Sequence, residues 1–200
     1  MHTGVALSRA LAGIAPASFD CDVARRVGLG GLLTPLKKGL TTGDLEFLYA
    51  GRRRNRFNLA GGPRTIYFGE DEDVGSAEVK RVALLGAFAK VKSPPAVIFW
   101  ATAHLPNAVL DVTDPTVIGT LGATDAELHD PDWSSHRPPS VSELLGQFAY
   151  ASKRFAAIKY WSVRERIAGR KRFCLCIFKD RVKGPLKVDF DFEGKIESWP

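Results

Sequence analysis

The sequence predicts a single α+β domain, and three observations carry that reading. Strand-like runs at 65–68, 96–102, 108–112, 157–161, 173–178 and 186–192 are short and scattered along the chain. The few helices between them are marked by capping residues, not by long amphipathic repeats, which argues against a doubly wound sheet. At 200 residues and 45% hydrophobic content, with no internal repeat, low-complexity tract or linker, the chain suits one domain with a sizeable core.

Taken in order, residues 1–45 read as a helical or irregular lead-in. The glycines at 28, 30 and 31 lack a following GK[ST] or G-x-x-G helix start, so no phosphate loop is expected there. Residues 46–49 begin the core as a first strand. Gly61-Gly62-Pro63 marks a turn, because glycine reaches positive φ freely and proline presets its own. In the strand that follows, Ile66 and Phe68 share one face and Thr65 and Tyr67 the other. The acidic run at 70–73 suits a helix N-terminus, where free N–H groups and the macrodipole favour negative charge. That helix is expected from about 73 to 89.

Glu78 falls on its apolar stripe, at helical spacing from Val74, Val82 and Leu85. A carboxylate withdrawn from water needs a partner. Spacing alone leaves three readings open: an ion pair with Arg81, a helix that starts a residue or two away from the expected position, or a carboxylate on the floor of a cleft facing a cation.

Further along, Ser93-Pro94-Pro95 breaks the chain before the 96–102 strand. Asp114 with Pro115 reads as an N-cap and N1 pair for a short helix ending near Gly122. Thr124 with Glu127 and Ser140 with Glu143 form capping boxes, the second opening a helix to about 155.

Composition narrows the function classes. No stretch is long and apolar enough to cross a bilayer, and Arg9 interrupts the apolar N-terminal residues with no basic segment before them, so a cytoplasmic protein is expected. Cys21, Cys174 and Cys176 form neither a disulfide framework nor a C-x-x-C metal pattern; Cys174 and Cys176 share a strand face and read as small apolar groups. His2, His104, His129 and His136 lack ligand spacing, so no metal site is expected. The net charge of +6 is uneven: residues 151–200 hold 13 Lys+Arg against 6 Asp+Glu. A basic end invites a nucleic-acid reading, but these charges are spread over strands and turns. An anion site plus a solvated surface is the simpler account.

Several motifs in order carry a family resemblance: Arg56-Phe57-Asn58, Gly62-Pro63, Tyr67-Phe68, Ala77-Glu78, the 112–122 stretch VTDPTVIGTLG, Asp130-Pro131-Asp132-Trp133, and 158–164 with Ser162. Together, over about 46–183, they resemble the RES domain, named for its Arg, Glu and Ser. The resemblance implies an ADP-ribosyltransferase-like mixed sheet core with flanking helices. It also implies an enzyme that cleaves the nicotinamide–ribose bond of NAD, the toxin of a toxin–antitoxin pair with an Xre-type antitoxin. A homodimer, a toxin–antitoxin hetero-oligomer, and contact with DNA only through the antitoxin are further expectations.

On this reading no cofactor is needed. NAD is the substrate, with inorganic phosphate a candidate co-substrate. Glu78 would stabilise the oxocarbenium-like ribose left as nicotinamide departs. Arg56 would hold a phosphate through its planar fork of donors, although without the resemblance it reads as one more solvated arginine among Arg52, Arg53 and Arg54. Tyr67 would stack on or hydrogen-bond the nicotinamide; its plainer reading is an aromatic finishing a strand. Ser162, with no His nearby and no G-x-S-x-G, is a positioning group and not a nucleophile. The chain departs from the family pattern where Tyr49 is followed by Ala50-Gly51, since an Arg usually stands near that Tyr. Arg52 is the candidate replacement. Residues 130–142 read as a loop covering the site.

Hydrolysis, phosphorolysis and ADP-ribosyl transfer to a protein share the bond-breaking step, and free NAD breakdown is favoured. A basic nucleic-acid-binding module and a catalytically silent homologue are the competing readings.

Overall fold

The computed structural model describes residues 4–28, 53–84, 96–135, 137, 139–192 and 195–199. The expected first strand at 46–49, the end of the Glu78 helix beyond 84, and Tyr49, Arg52, His2 and His136 lie outside them.

The chain begins with α1 (Gly4–Gly13) and β1 (Ala17–Gly28). β1 corrects the expected helical or irregular lead-in. Phe19 and Val23 are buried on one face and Asp20 and Asp22 exposed on the other, as in a half-buried strand, with Cys21 exposed and Ala24 buried departing from the alternation. Its two aspartates and Arg25-Arg26 give the segment a polar character that hides this period.

Then follow β2 (Thr65–Gly69), α2 (Glu72–Leu84) and β3 (Ala96–Asp111). β3 is one strand of 16 residues, where two were expected with a turn between them. Pro106 and Asn107 lie inside it. Asn107 takes a left-handed φ of 51° and its N–H donates to Ser18 Oγ at 2.9 Å, so the would-be turn is absorbed as a bulge in the pairing with β1.

The remainder is α3 (Pro115–Leu121), α4 (Asp125–Leu128), α5 (Val141–Ala151), β4 (Ala157–Trp161), α6 (Val163–Ile167), β5 (Phe173–Phe178), β6 (Lys187–Phe192) and β7 (Lys195–Trp199). Asp114 caps α3, and both capping boxes are present. α5 ends at Ala151, short of 155, because Lys153 turns left-handed at φ 61°. α6 and β7 were not among the expected elements.

The strand order is β1-β2-β5-β4-β3-β6-β7, and β1 also pairs with β3, so five strands close on themselves. β3 and β4 are parallel and every other pair is antiparallel, giving the mixed sheet of an α+β fold. Alternation sorts side chains into two apolar layers. Ile66 and Phe68 join Phe19, Val23, Leu105, Leu175 and Ile177 in one. The other gathers Phe57, Val74, Ile158, Tyr160, Cys174, Cys176 and the partly buried Tyr67 beneath α1 and α5. The site is built on this second layer.

Candidate active site

α2 is set against the sheet by its acidic start. Asp71 Oδ1 accepts from the Val74 N–H at 3.0 Å, and Arg172 pairs with both Asp71 and Glu70. With Val74 fully buried, the helical spacing brings Glu78 one turn later to the end of β4.

There Ser162 Oγ donates to Glu78 Oε1 at 2.8 Å. Ser162 is fully buried and caps α6, its Oγ also accepting from the Glu165 N–H at 3.3 Å. The hydroxyl therefore has a fixed direction: the helix amide donates to one of its lone pairs and its proton points to the carboxylate. Among the described residues the Glu78 carboxylate has a hydroxyl partner, Ser162, while the ion-pair reading falls on Arg81. Arg81's side chain lies outside the described residues.

Arg56 and Phe57 form the tip of a tight turn closed by reciprocal Asn55 and Asn58 backbone bonds of 2.8 and 3.0 Å. Phe57 is buried edge-on to Tyr160, ring centres 4.9 Å apart, and its N–H donates to Tyr67 Oη at 3.2 Å. Arg56 is 5% exposed. Its Nη1 donates to the Leu128 carbonyl at 3.2 Å, while Nη2 is buried with no acceptor among the described residues. A buried guanidinium nitrogen without an acceptor is costly and suits a site that binds an anion.

Tyr160 lies between these groups. Burial pushes its phenol well above the ordinary value, the surrounding Cys174 and Glu78 add to this, and Arg56 opposes it. Burial likewise holds the Cys174 thiol well up, with Glu78 adding to the effect, and Tyr67 is raised well above its usual value by burial and by Cys176. These groups stay neutral at physiological pH and supply no nucleophile. What remains is a carboxylate with a donor at one oxygen, an unsatisfied guanidinium N–H and a lining of aromatic rings. Such a set can stabilise positive charge on a sugar and hold a phosphate. Among the described residues, no three His, Cys, Asp or Glu are grouped to hold a metal.

Glu78 meets Ser162, Arg56 adjoins Phe57, and Tyr67 accepts from the Phe57 N–H, all near the Phe57–Tyr160 ring pair, while Tyr49 and Arg52 lie outside the described residues. Tyr160 was missed. Its position two residues before Ser162, on the same strand face, is the signal that could have found it. Arg54 is not a solvated arginine: its guanidinium binds the fully buried Glu143 through two bonds, Nε to Oε1 at 2.5 Å and Nη2 to Oε2 at 3.0 Å. It also donates to the Ser134 carbonyl at 3.0 Å, and the Trp133 ring lies 5.5 Å from Arg54 Cζ and 5.8 Å from Arg56 Cζ. The expected covering loop therefore does lie against Arg56, tied down by Arg54. A depression lined by Val5, Ser8, Arg9 and Phe148 contains none of these residues.

No curated protein sequence matches the chain. Among solved structures, the crystal structure of the M.tuberculosis MbcT-MbcA toxin-antitoxin complex holds a similar chain, with a TM-score of 0.58 and 16% identity over 92% of this chain and 88% of that one. The RES domain family model matches residues 35–193, a span containing Arg56, Tyr67, Glu78 and Ser162, and the chain belongs to the RES domain family.

Proposed function

We propose that this protein cleaves the nicotinamide–ribose bond of NAD, by hydrolysis or phosphorolysis, and acts as the toxin of a toxin–antitoxin pair by depleting NAD. Family membership supports the proposal, as does likeness to a chain from a toxin–antitoxin complex. The observation that carries the chemistry is a Glu78 carboxylate oriented by Ser162 and a buried Arg56 guanidinium, both close enough to the buried Tyr160 ring to shift its phenol.

The residues would act as follows. Arg56 Nη2 binds a phosphate oxygen of NAD, replacing the acceptor it lacks. Tyr67 stacks on or hydrogen-bonds the nicotinamide, backed by the buried Phe57 ring. Glu78, held by the Ser162 proton, lies near the anomeric carbon and offsets the positive charge that develops as the C–N bond breaks. Nicotinamide leaves with the bonding pair, and water or phosphate adds to the sugar. Transfer to a protein acceptor is the alternative outcome of the same bond cleavage. An Xre-type antitoxin would bind the protein in the cytoplasm and carry any contact with DNA; a homodimer and a hetero-oligomer with the antitoxin complete the proposal.

A nucleic-acid-binding module fits less well. Much of the basic C-terminal stretch is engaged within the fold: Arg154 with the carbonyls ending α1, Lys159 with Asp111, Arg166 with Asp125, Arg170 with Glu165, and Arg172 with Glu70 and Asp71.

The test is incubation of purified protein with NAD, with and without phosphate, following nicotinamide and the second product by chromatography. Glu78→Ala and Arg56→Ala should each lower the rate by about 10²–10³-fold with the fold retained. Variants that match the parent would refute the site.

A further inference from the structure

β4 ends with an unusual backbone arrangement. The Lys159 carbonyl accepts from the Val112 N–H at 2.9 Å, on the side facing β3. Two residues later the Trp161 N–H points the same way, but the β3–β4 pairing stops at Asp111↔Lys159. A side chain fills the vacancy in the ladder: His129 Nε2 accepts from the Trp161 N–H at 3.1 Å. The next residue is Ser162, whose own N–H goes to Arg172 O on the opposite side at 2.7 Å.

Because Nε2 is an acceptor, the imidazole proton resides on Nδ1, which donates to Asp125, 2.9 Å from Oδ1 and 3.1 Å from its carbonyl. Asp125 Oδ2 in turn pairs with Arg166 on α6, the helix that Ser162 caps. One residue pair thus holds both sides of Ser162: His129 the strand before it, Asp125 the helix after it.

We propose that His129 is a positioning residue of the Glu78–Ser162 site, its neutral imidazole holding the last N–H of β4 so that the turn presents the Ser162 hydroxyl to Glu78. The inference rests on the reading of Glu78 and Ser162 given above. Protonation at Nε2 replaces the acceptor with a second N–H directed at the Trp161 N–H, and the strand end must move. The charged groups around the ring are Asp125 on its own helix, Arg166 from α6 and Arg56 from the 55–58 turn. Burial, with the two arginines, outweighs Asp125 and moves the imidazole below its ordinary value, so the acceptor form holds through neutral pH and is lost on acidification.

The experiment compares the parent with His129→Gln, which keeps an acceptor oxygen near the Nε2 position and does not titrate, and His129→Leu, which removes the acceptor. In the parent, the Trp161 and Ser162 amide resonances should shift together with the imidazole as the pH is lowered on the acid side of neutrality. In His129→Gln they should stay flat. Nicotinamide release by the parent should fall on the acid side, and His129→Gln should lose that limb. At neutral pH, His129→Leu should lower kcat about tenfold with little change in KM, and His129→Gln should recover part of the loss. A purely structural role would lower Tm in both variants and leave the acid limb in place.

Parent amides that do not shift, or an identical acid limb in the parent and His129→Gln, overturn the proposal. If the parent releases no nicotinamide at any pH, the NAD reading fails and the amide titration decides the role of His129 by itself.

Discussion

Replacing Gly146 with alanine isolates a packing constraint that reaches the site. Gly146 lies buried in α5, and a Cβ there would stand 2.0 Å from the Phe57 carbonyl oxygen, 2.6 Å from its carbon and 2.8 Å from its Cα. Ordinary contact requires more than an ångström of retreat, and the obstacle is backbone, which cannot rotate away. Intrinsic propensity favours alanine in a helix by about 1 kcal/mol. Overpacking opposes it by about 1–3 kcal/mol, and displacing Phe57 also strains the N–H bond to Tyr67 Oη, a contribution of about 1 kcal/mol. The clash should win, with net destabilisation of about 1–3 kcal/mol. For a chain of this size that lowers Tm by about 3–10 °C. Nicotinamide release should fall as well, since Arg56 precedes Phe57 in the displaced turn. Gly119→Ala in α3 is the control: its Cβ meets nothing within 4 Å, so propensity alone acts and Tm should hold or rise. Scanning calorimetry on the two variants decides the matter. If Gly146→Ala melts as high as Gly119→Ala, the close approach of α5 to the 55–58 turn is wrong.

Arg54→Ala leaves the buried Glu143 carboxylate without its guanidinium and should cost about 2–3 kcal/mol, less than a fully buried pair because Arg54 is partly exposed; urea unfolding measures this, and an unchanged midpoint contradicts the pairing. Burial pushes Glu143 up, but the Arg54 hydrogen bond and those from Ser140 outweigh it and hold the carboxyl below 4.5. Its contribution to stability is therefore present above about pH 4.5 and lost as pH falls through the folded-state value, so Glu143→Gln should show a shallower decline in unfolding midpoint between about pH 6 and pH 3 than the parent. Ser162→Ala removes the donor that orients Glu78 and should slow nicotinamide release about tenfold or more, with a smaller loss for Ser162→Thr if the hydroxyl is what matters. A thiol reagent on the folded protein should label the exposed Cys21 quickly. Cys174 and Cys176, buried and with raised pKa values, should react only after denaturant is added.

Local signals were read well from the sequence. Both capping boxes, the Asp114 cap and the Tyr67 alternation each depend on residues a few positions apart, and they appear as expected. β1 and the joined β3 were not legible. Asp20 and Asp22 find partners in His104 and Thr102, 84 and 80 residues away, and Ser18 stabilises the left-handed Asn107; without that partner strand, both segments read as irregular. The motif residues of the site could be named one by one, and Tyr160 was within reach of the same alternation, but His129 and the Arg54–Glu143 pair were not. Nothing in a short window marks a buried histidine as a strand's missing neighbour.

The sequence by itself determined the α+β class, where most helices begin, which faces the 65–68 and 173–178 strands present and which side chains carry the family's motifs, because those preferences arise from neighbouring residues and from alternation. Only the tertiary structure decided that Ser162 would reach Glu78 across 84 residues, that Arg56 would be buried with one nitrogen unsatisfied, and that Arg54 would become a strut for the Trp133 loop. Those outcomes follow from the closure of five strands and the seating of α2 and α5 on them, and the free energy of such contacts belongs to pairs that meet only once the chain has folded.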